Sequence, residues 1–180
     1  MKIIISGPSG VGKSAVLQLV RDKRKDIRFS ISATTRKPRP EESHRDYIFM
    51  SEDEFEDAIR NNAMAEWVNQ GVFFYGTPKS QLTGEDSVIL DIDTAGGMAV
   101  KRLFPSDTVL IFITAPEWVV SQRLIAREAG RMDQETIQAR LGRYQHENEA
   151  ATFYYDYIIP NTGTLEECAD RVLRIIDSYI

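Results

Sequence analysis

Gly7-Pro8-Ser9-Gly10-Val11-Gly12-Lys13-Ser14 is the stretch that decides the fold. It satisfies G-x-x-x-x-G-K-[ST] in full, after an apolar run (Lys2–Ser6) that reads as a buried strand and before a helical pattern that runs to about Arg24. Glycines in such a loop let successive N–H groups turn inward toward phosphate oxygens, and the helix N-terminus adds its positive dipole. On this reading Lys13 reaches the β- and γ-phosphates of a nucleotide and the Ser14 hydroxyl binds Mg²⁺. The bland alternative is a glycine-rich turn matched by chance, and the strand–loop–helix context argues against it.

The rest of the chain repeats the rhythm. Apolar runs at Ser87–Ile92, Thr108–Ile113 and Tyr157–Ile159 read as further buried strands, and helical patterns follow Asp93, Pro116 and Thr164. Thr164 with Glu167 three residues on is a capping-box pattern. Uniformly apolar strands separated by helices indicate a parallel sheet covered on both faces. Two segments break the pattern. Ser32–Leu82 has polar-aromatic strands, a turn at Gln70-Gly71 and one evident helix, Ser51–Asn61, with Ser51 and Glu54 as its capping box. This predicts a small mixed β insertion. Arg127–Ala151 predicts an exposed helical hairpin with Asp133 capping its second helix.

The 180 residues fit a single domain, and 42% apolar with 27% charged residues is an ordinary globular mix. A net charge of −5 argues against a general nucleic-acid binder. One cysteine, Cys168, excludes a disulfide scaffold and a cysteine-based zinc site. No apolar run approaches the roughly 18 residues of a membrane span, and no cleavage site follows the short apolar start, so a cytoplasmic protein is expected. Charge is uneven: Arg21–Arg45 carries nine basic and four acidic residues, +5 against −10 elsewhere. For Lys23–Lys25 a solvated helix end is the preferred explanation.

A strand-end carboxylate should face the phosphate loop. Ile89-Leu90-Asp91-Ile92-Asp93 offers two, which alternation places on one face. Asp91 is read as the nucleotide and metal ligand, whereas Asp93 could instead cap the next helix. Arg36 and Arg39, stiffened by Pro38 and Pro40, suit a bidentate anion clamp. Tyr47 and Tyr75 can each donate a hydroxyl to a phosphate. Glu66, between Ala65 and Trp67, could accept from N1–H and N2–H₂ of guanine, an edge adenine does not present, or could be a solvent-facing strand residue.

Taken in order, the phosphate loop, Ser32–Arg39, Asp46-Tyr47, Glu66-Trp67, Tyr75-Gly76-Thr77 and Leu90-Asp91-Ile92-Asp93 resemble the guanylate kinase family over nearly the whole chain. The resemblance implies an α/β, three-layer P-loop NTPase fold with a five-stranded parallel core sheet (about 1–31, 84–126 and 152–180), a β-rich GMP-binding insertion (about 32–83) and a helical lid (about 127–151). It implies ATP-dependent phosphorylation of GMP and of dGMP with Mg²⁺. Arg36, Arg39, Tyr47 and Tyr75 would hold the acceptor phosphate, and Ser32, Glu66, Thr77 and Asp93 would read or position guanine. Arg127 and Arg140 would be lid arginines, and Asn161 would lie near adenine. The implied partners are ATP and GMP, with no nucleic acid and no membrane, in a monomer or homodimer.

The chain departs from the family pattern in four places. The loop from Arg39 to Tyr47 is one residue short and lacks the usual glycines; Ala95 stands where Gln is usual; the lid segment is about two residues longer, so Arg131 could substitute for a lid arginine; and Phe74 replaces a common Tyr. Two rivals are a non-catalytic interaction domain of this family, which typically loses parts of the phosphate loop, and a related kinase acting on a phosphorylated ribose, which would lose the guanine-reading residues. A guanine-nucleotide switch is weaker, since no N/T-K-x-D motif is present.

Overall fold

The computed structural model describes residues 1–40, 42–44, 46–128 and 134–180, with the backbone alone at 127, 128, 134–141 and 143. Its elements, in order, are β1 (Lys2–Ser6), α1 (Lys13–Lys23), β2 (Arg28–Phe29), β3 (Ala33–Thr34), β4 (Ile48–Phe49), α2 (Glu52–Arg60), β5 (Met64–Gln70) and β6 (Phe73–Pro78). There follow β7 (Val88–Asp91), α3 (Thr94–Leu103), β8 (Thr108–Thr114), α4 (Glu117–Glu128), α5 (Gln134–Tyr154), β9 (Tyr157–Pro160) and α6 (Leu165–Asp177).

Strands β2-β7-β1-β8-β9 form a five-stranded sheet in that order, parallel throughout. Every residue of the central strand β1 is buried, and its alternate side chains enter different cores. Ile3 and Ile5 join Val16, Val20, Ile111, Val172 and Ile176, contributed in part by α1 and α6. Ile4 joins Leu90, Ile92, Val100 and Leu110 on the α3 face. This is the three-layer parallel architecture expected from the apolar runs. Both capping boxes, Ser51/Glu54 and Thr164/Glu167, are formed. Lys23 pairs with Asp170 and Arg24 with Asp26 and Asp177 at the exposed end of α1, the solvated helix end anticipated for that cluster.

The mixed β insertion is a four-stranded sheet, β4-β3-β6-β5, with a core of its own built on Ala33, Phe55 and Met64. Phe74 stacks on Phe55 at 5.5 Å within it. Three expectations need correction. The edge strand β2 was not among the strands read directly from the sequence, because two residues carry no periodicity. The strand expected over Ser87–Ile92 is shorter, Val88–Asp91. The helical hairpin expected over 127–151 starts earlier, within α4 from Glu117, and runs on to Tyr154, with Ala151 fully buried. The Tyr144 hydroxyl donates to the Ala115 carbonyl (2.7 Å) and Thr114 to Asn148 Oδ1 (2.6 Å), so this half of α5 is fastened to the end of β8. Asp133 and Arg131 lie outside the described residues. Among the described residues no helix is long and apolar enough to cross a membrane.

Candidate active site

The phosphate loop leaves β1 at its C-terminal end. A Cβ on Gly7 would lie 2.4 Å from the Ile113 carbonyl oxygen, so only glycine lets the loop pass this close to β8. Gly12 precedes α1 with φ +90°, in the left-handed region, and no side chain caps the helix. The N–H groups of the first turn therefore lack a capping side chain, no acidic residue occupies that turn, and the geometry suits an anion. Gly7, Pro8, Ser9, Gly10, Gly12, Lys13 and Ser14 line a bay with Arg123. Val11 points the other way, with its side chain in the core. Its carbonyl accepts from Asn161 Nδ2 (2.7 Å) and Arg123 Nη1 (2.9 Å), which fasten the loop to the β9–α6 turn and to α4.

Lys13 Nζ donates to Asp91 Oδ1 at the end of β7. Val88 and Leu90 of β7 face the α3 core, joined by Ile92 just past the strand, while Asp91 at the strand end and Asp93 at the start of α3 both line the neighbouring cavity. Asp93 does both things the sequence allowed. It caps α3, accepting from the Gly96 N–H at 2.7 Å, and it faces the cavity.

That cavity, about 380 Å³, brings together Gly7, Lys13, Ser32, Tyr47, Glu66, Tyr75, Asp91 and Asp93. Glu66 is not a solvent-facing strand residue. A bulge between Met64 and Glu66 shifts the β5–β6 register, so Met64, Ala65 and Glu66 are buried in succession. Glu66 Oε1 accepts from the Thr77 hydroxyl (2.6 Å), with Thr77 fully buried behind it. Burial pushes the Glu66 carboxyl above the usual range, Thr77 draws it back, and the nearby Asp93 charge adds to the rise. Burial likewise raises the Tyr47 phenol, which stays a donor at neutral pH.

The arginine clamp is occupied from within. Arg36 Nη2 donates to Glu42 Oε1 (2.9 Å), and the Arg39 N–H donates to Glu42 Oε2 (2.9 Å). The Arg36 guanidinium also lies over the Tyr47 ring at 5.4 Å, and Tyr47 meets Tyr75 edge-on at 6.3 Å, so three of the four phosphate-clamp candidates gather in one place. Glu42 strengthens the charged form of Arg36, and Arg36 lowers the Glu42 pKa in return. The Arg39 side chain is exposed, and its guanidinium pairs at 4.0 Å with Glu42 Oε1, the oxygen that accepts from Arg36, so it lies at the rim of this cluster. The side chains of Arg127 and Arg140 lie outside the described residues.

Glu42, Arg123 and Glu147 were not singled out from the sequence. Glu42 is one acid in a charged loop, Arg123 one base in a helix, and Glu147 lines the cavity from α5, which is fastened to β8 and its following turn at Tyr144 and Asn148. The spacing of Glu42 from Arg36 and Arg39 was the one available signal. For a divalent cation, Ser14 and Asp91 supply hard oxygen donors on either side of Lys13, a set that needs phosphate oxygens and water to complete it. Among the described residues no group of three acidic, histidine or cysteine side chains forms a protein-only metal site.

The guanylate kinase family model matches residues 1–179. The chain is 39% identical to a guanylate kinase of Fusobacterium nucleatum subsp. nucleatum, over 98% of this chain and 96% of that relative. It is 38% identical to a guanylate kinase of Latilactobacillus sakei subsp. sakei, over 99% and 89%. The crystal structure of guanylate kinase from Anaplasma phagocytophilum superposes with a TM-score of 0.73 at 28% identity, covering 99% of this chain and 85% of that one. Fold and site together define a P-loop nucleotide kinase. Within that class, the chain belongs to the guanylate kinase family.

Proposed function

We propose that this enzyme transfers the γ-phosphoryl group of ATP to GMP, and to dGMP, giving the diphosphate and ADP. The observation that carries the reading is the buried Glu66–Thr77 pair, facing the same cavity as Lys13 and Asp91. A buried carboxylate suits an edge with two adjacent donors, which guanine has and adenine lacks. Ser32 and Asp93 complete this end, while Arg36, Arg39, Tyr47 and Tyr75 hold the acceptor phosphate.

Phosphoryl transfer through a loose transition state needs alignment and charge neutralisation more than a covalent nucleophile. The phosphate loop and Lys13 hold the donor phosphates, and an acceptor phosphate oxygen attacks in line. Arg36 and Arg39 offset the acceptor's charge, and Arg127 and Arg140 that of the donor. Asn161 keeps the loop in place beside the adenine. Ser14 and Asp91 would hold a Mg²⁺ ion, which when bound neutralises charge on the donor phosphates. Binding of the acceptor phosphate displaces Glu42 from Arg36. The region 32–83, with its own core, closes toward the donor loop and excludes water that would otherwise hydrolyse ATP. The lid segment, about 127–151, brings Arg127 and Arg140 to the donor phosphates.

The test is product analysis. With ATP, GMP and Mg²⁺, ADP and GDP should accumulate one for one, with little ATP consumed when GMP is omitted. ADP formed at the same rate with or without GMP would make the protein a hydrolase and sink the reading.

A further inference from the structure

One polar chain, running from half-buried Tyr155 to fully buried Ser6, lies outside the residues given roles above. The Tyr155 hydroxyl donates to Ser6 Oγ (2.6 Å), and Ser6 Oγ donates to the Ile92 carbonyl (2.7 Å). The three residues belong to distant parts of the chain that meet at the C-terminal edge of the sheet. Ser6 is fully buried and is the last residue of β1, joined directly to Gly7 of the phosphate loop. Ile92 sits between Asp91, the partner of Lys13, and Asp93, the cap of α3. Tyr155 follows α5, the helix that carries Glu147 to the cavity.

The backbone pairing explains why a side chain is needed here. The β1–β7 ladder ends at Ile5 and Asp91, beyond which one chain enters the phosphate loop and the other turns into α3. The Ser6 hydroxyl extends the connection one residue further. The surroundings are fitted to the chain: a Cβ on Gly97 would lie 2.6 Å from the Tyr155 oxygen, and the Tyr155 ring meets Phe112 edge-on at 5.4 Å. Phe112 is itself the β8 neighbour of Ser6. Burial holds the Tyr155 phenol well above its ordinary pKa, so it remains a donor across the working range. Two hydroxyls in series, each donating onward, polarise one another.

We infer that Tyr155 and Ser6 are positioning residues that fix the end of β1, which aims the phosphate loop, against the β7–α3 turn, which aims Asp91 and Asp93. The chain thereby sets the spacing between donor and acceptor. This rests on the proposed phosphoryl transfer. Neither hydroxyl is assigned to either substrate, so losing one should disturb alignment in the transition state rather than binding, and misplacement of reacting groups is costly to rate.

The experiment compares wild type with Tyr155→Phe, Ser6→Ala and the double variant. It measures kcat, KM for ATP and GMP, thermal midpoint, and amide hydrogen exchange. Each single variant should lower kcat about tenfold with both KM values within about twofold. The double variant should be no worse than Ser6→Ala, because Tyr155 acts through Ser6. Exchange should quicken in residues 6–13 and 91–97 of Tyr155→Phe and not elsewhere. An unchanged kcat with a lowered midpoint would make the chain merely structural and overturn the inference. So would multiplying losses in the double variant, or unchanged exchange in Tyr155→Phe, whose missing oxygen leaves the ring packing intact if Ser6→Ala fails to fold. Wild type without GMP turnover would instead sink the functional reading, and the exchange data would still decide whether the chain aligns the two strand ends.

Discussion

Replacing Glu66 by glutamine removes a charge and almost no volume, so its effects can be assigned to electrostatics. Glu66 is 8% exposed, and its Oε1 accepts from the Thr77 hydroxyl. Its Oε2 lies toward α3, 2.9 Å from where a Cβ on Gly96 would sit. Burial raises its pKa on folding, so the native state binds this proton more tightly than the unfolded chain does. The ionised group therefore carries a penalty that is fully present above the folded pKa and is relieved as pH falls toward the unfolded value. Glu66→Gln removes that penalty while Gln can still accept from Thr77, so the thermal midpoint should rise at pH 8, and the rise should shrink near pH 4. Activity should move the opposite way. Glutamine offers one acceptor and one donor to two guanine donors, and an unpaired buried polar group costs about 1–3 kcal/mol, or roughly 5–150-fold in kcat/KM for GMP. Discrimination against AMP should narrow, because the new donor can meet adenine N1. Coupled-assay kcat/KM values for GMP and AMP, with melting curves at the two pH values, test both halves. An unchanged GMP/AMP ratio would remove Glu66 from the base site, and a lower midpoint at pH 8 would refute the burial argument.

Other perturbations address separate parts of the account. Lys13→Ala should lower kcat at least about 100-fold with an unchanged far-UV spectrum, since Lys13 acts on the transferred group; near-normal turnover would undo the donor assignment. Arg39→Ala should raise KM for GMP by roughly 10–150-fold, from about 1.5–3 kcal/mol for a charge-assisted hydrogen bond, and leave KM for ATP nearly unchanged; equal rises would remove Arg39 from the acceptor site. Asp107 accepts from the buried Lys2 ammonium (2.6 Å), pairs with the amino terminus at 3.2 Å, and has its pKa lowered by both. That contribution is present at neutral pH and is lost as pH falls through the depressed folded pKa. Asp107→Asn should therefore cost about 0.5–1 kcal/mol in urea unfolding at pH 7, in keeping with its half-exposed side chain, and progressively less as pH falls below the usual carboxylate range.

The parallel core was legible because its strands are buried on both faces and its helices announce their caps. Lys2–Ser6, Thr108–Ile113 (one residue short of the observed strand) and the two capping boxes needed only local pattern. The phosphate loop was legible because its chemistry dictates residue types at fixed spacing. What escaped depends on geometry that arises only when distant elements meet. The pattern names Glu66 as a candidate guanine reader, but the bulge that turns it inward is something strict alternation does not contain. Glu42 looks like any loop acid until the chain folds it onto Arg36. Asn161, fully buried on the Val11 carbonyl, fastens the loop across 150 residues of sequence. The end of α5 read as exposed because Arg, Glu and Gln dominate its composition, while Tyr144, Asn148 and Ala151, the residues that anchor it, are a minority on one face.

The central claim is that this chain phosphorylates a guanine mononucleotide. Its most direct test is one coupled assay with ATP and saturating Mg²⁺, offering GMP, AMP, UMP and a ribose phosphate in parallel. The account predicts turnover with GMP at a kcat/KM at least about 100-fold above each of the others, the discrimination expected when a buried polar site meets a base that leaves it unpaired. Comparable turnover of AMP or of the ribose phosphate, or none with GMP, would contradict it.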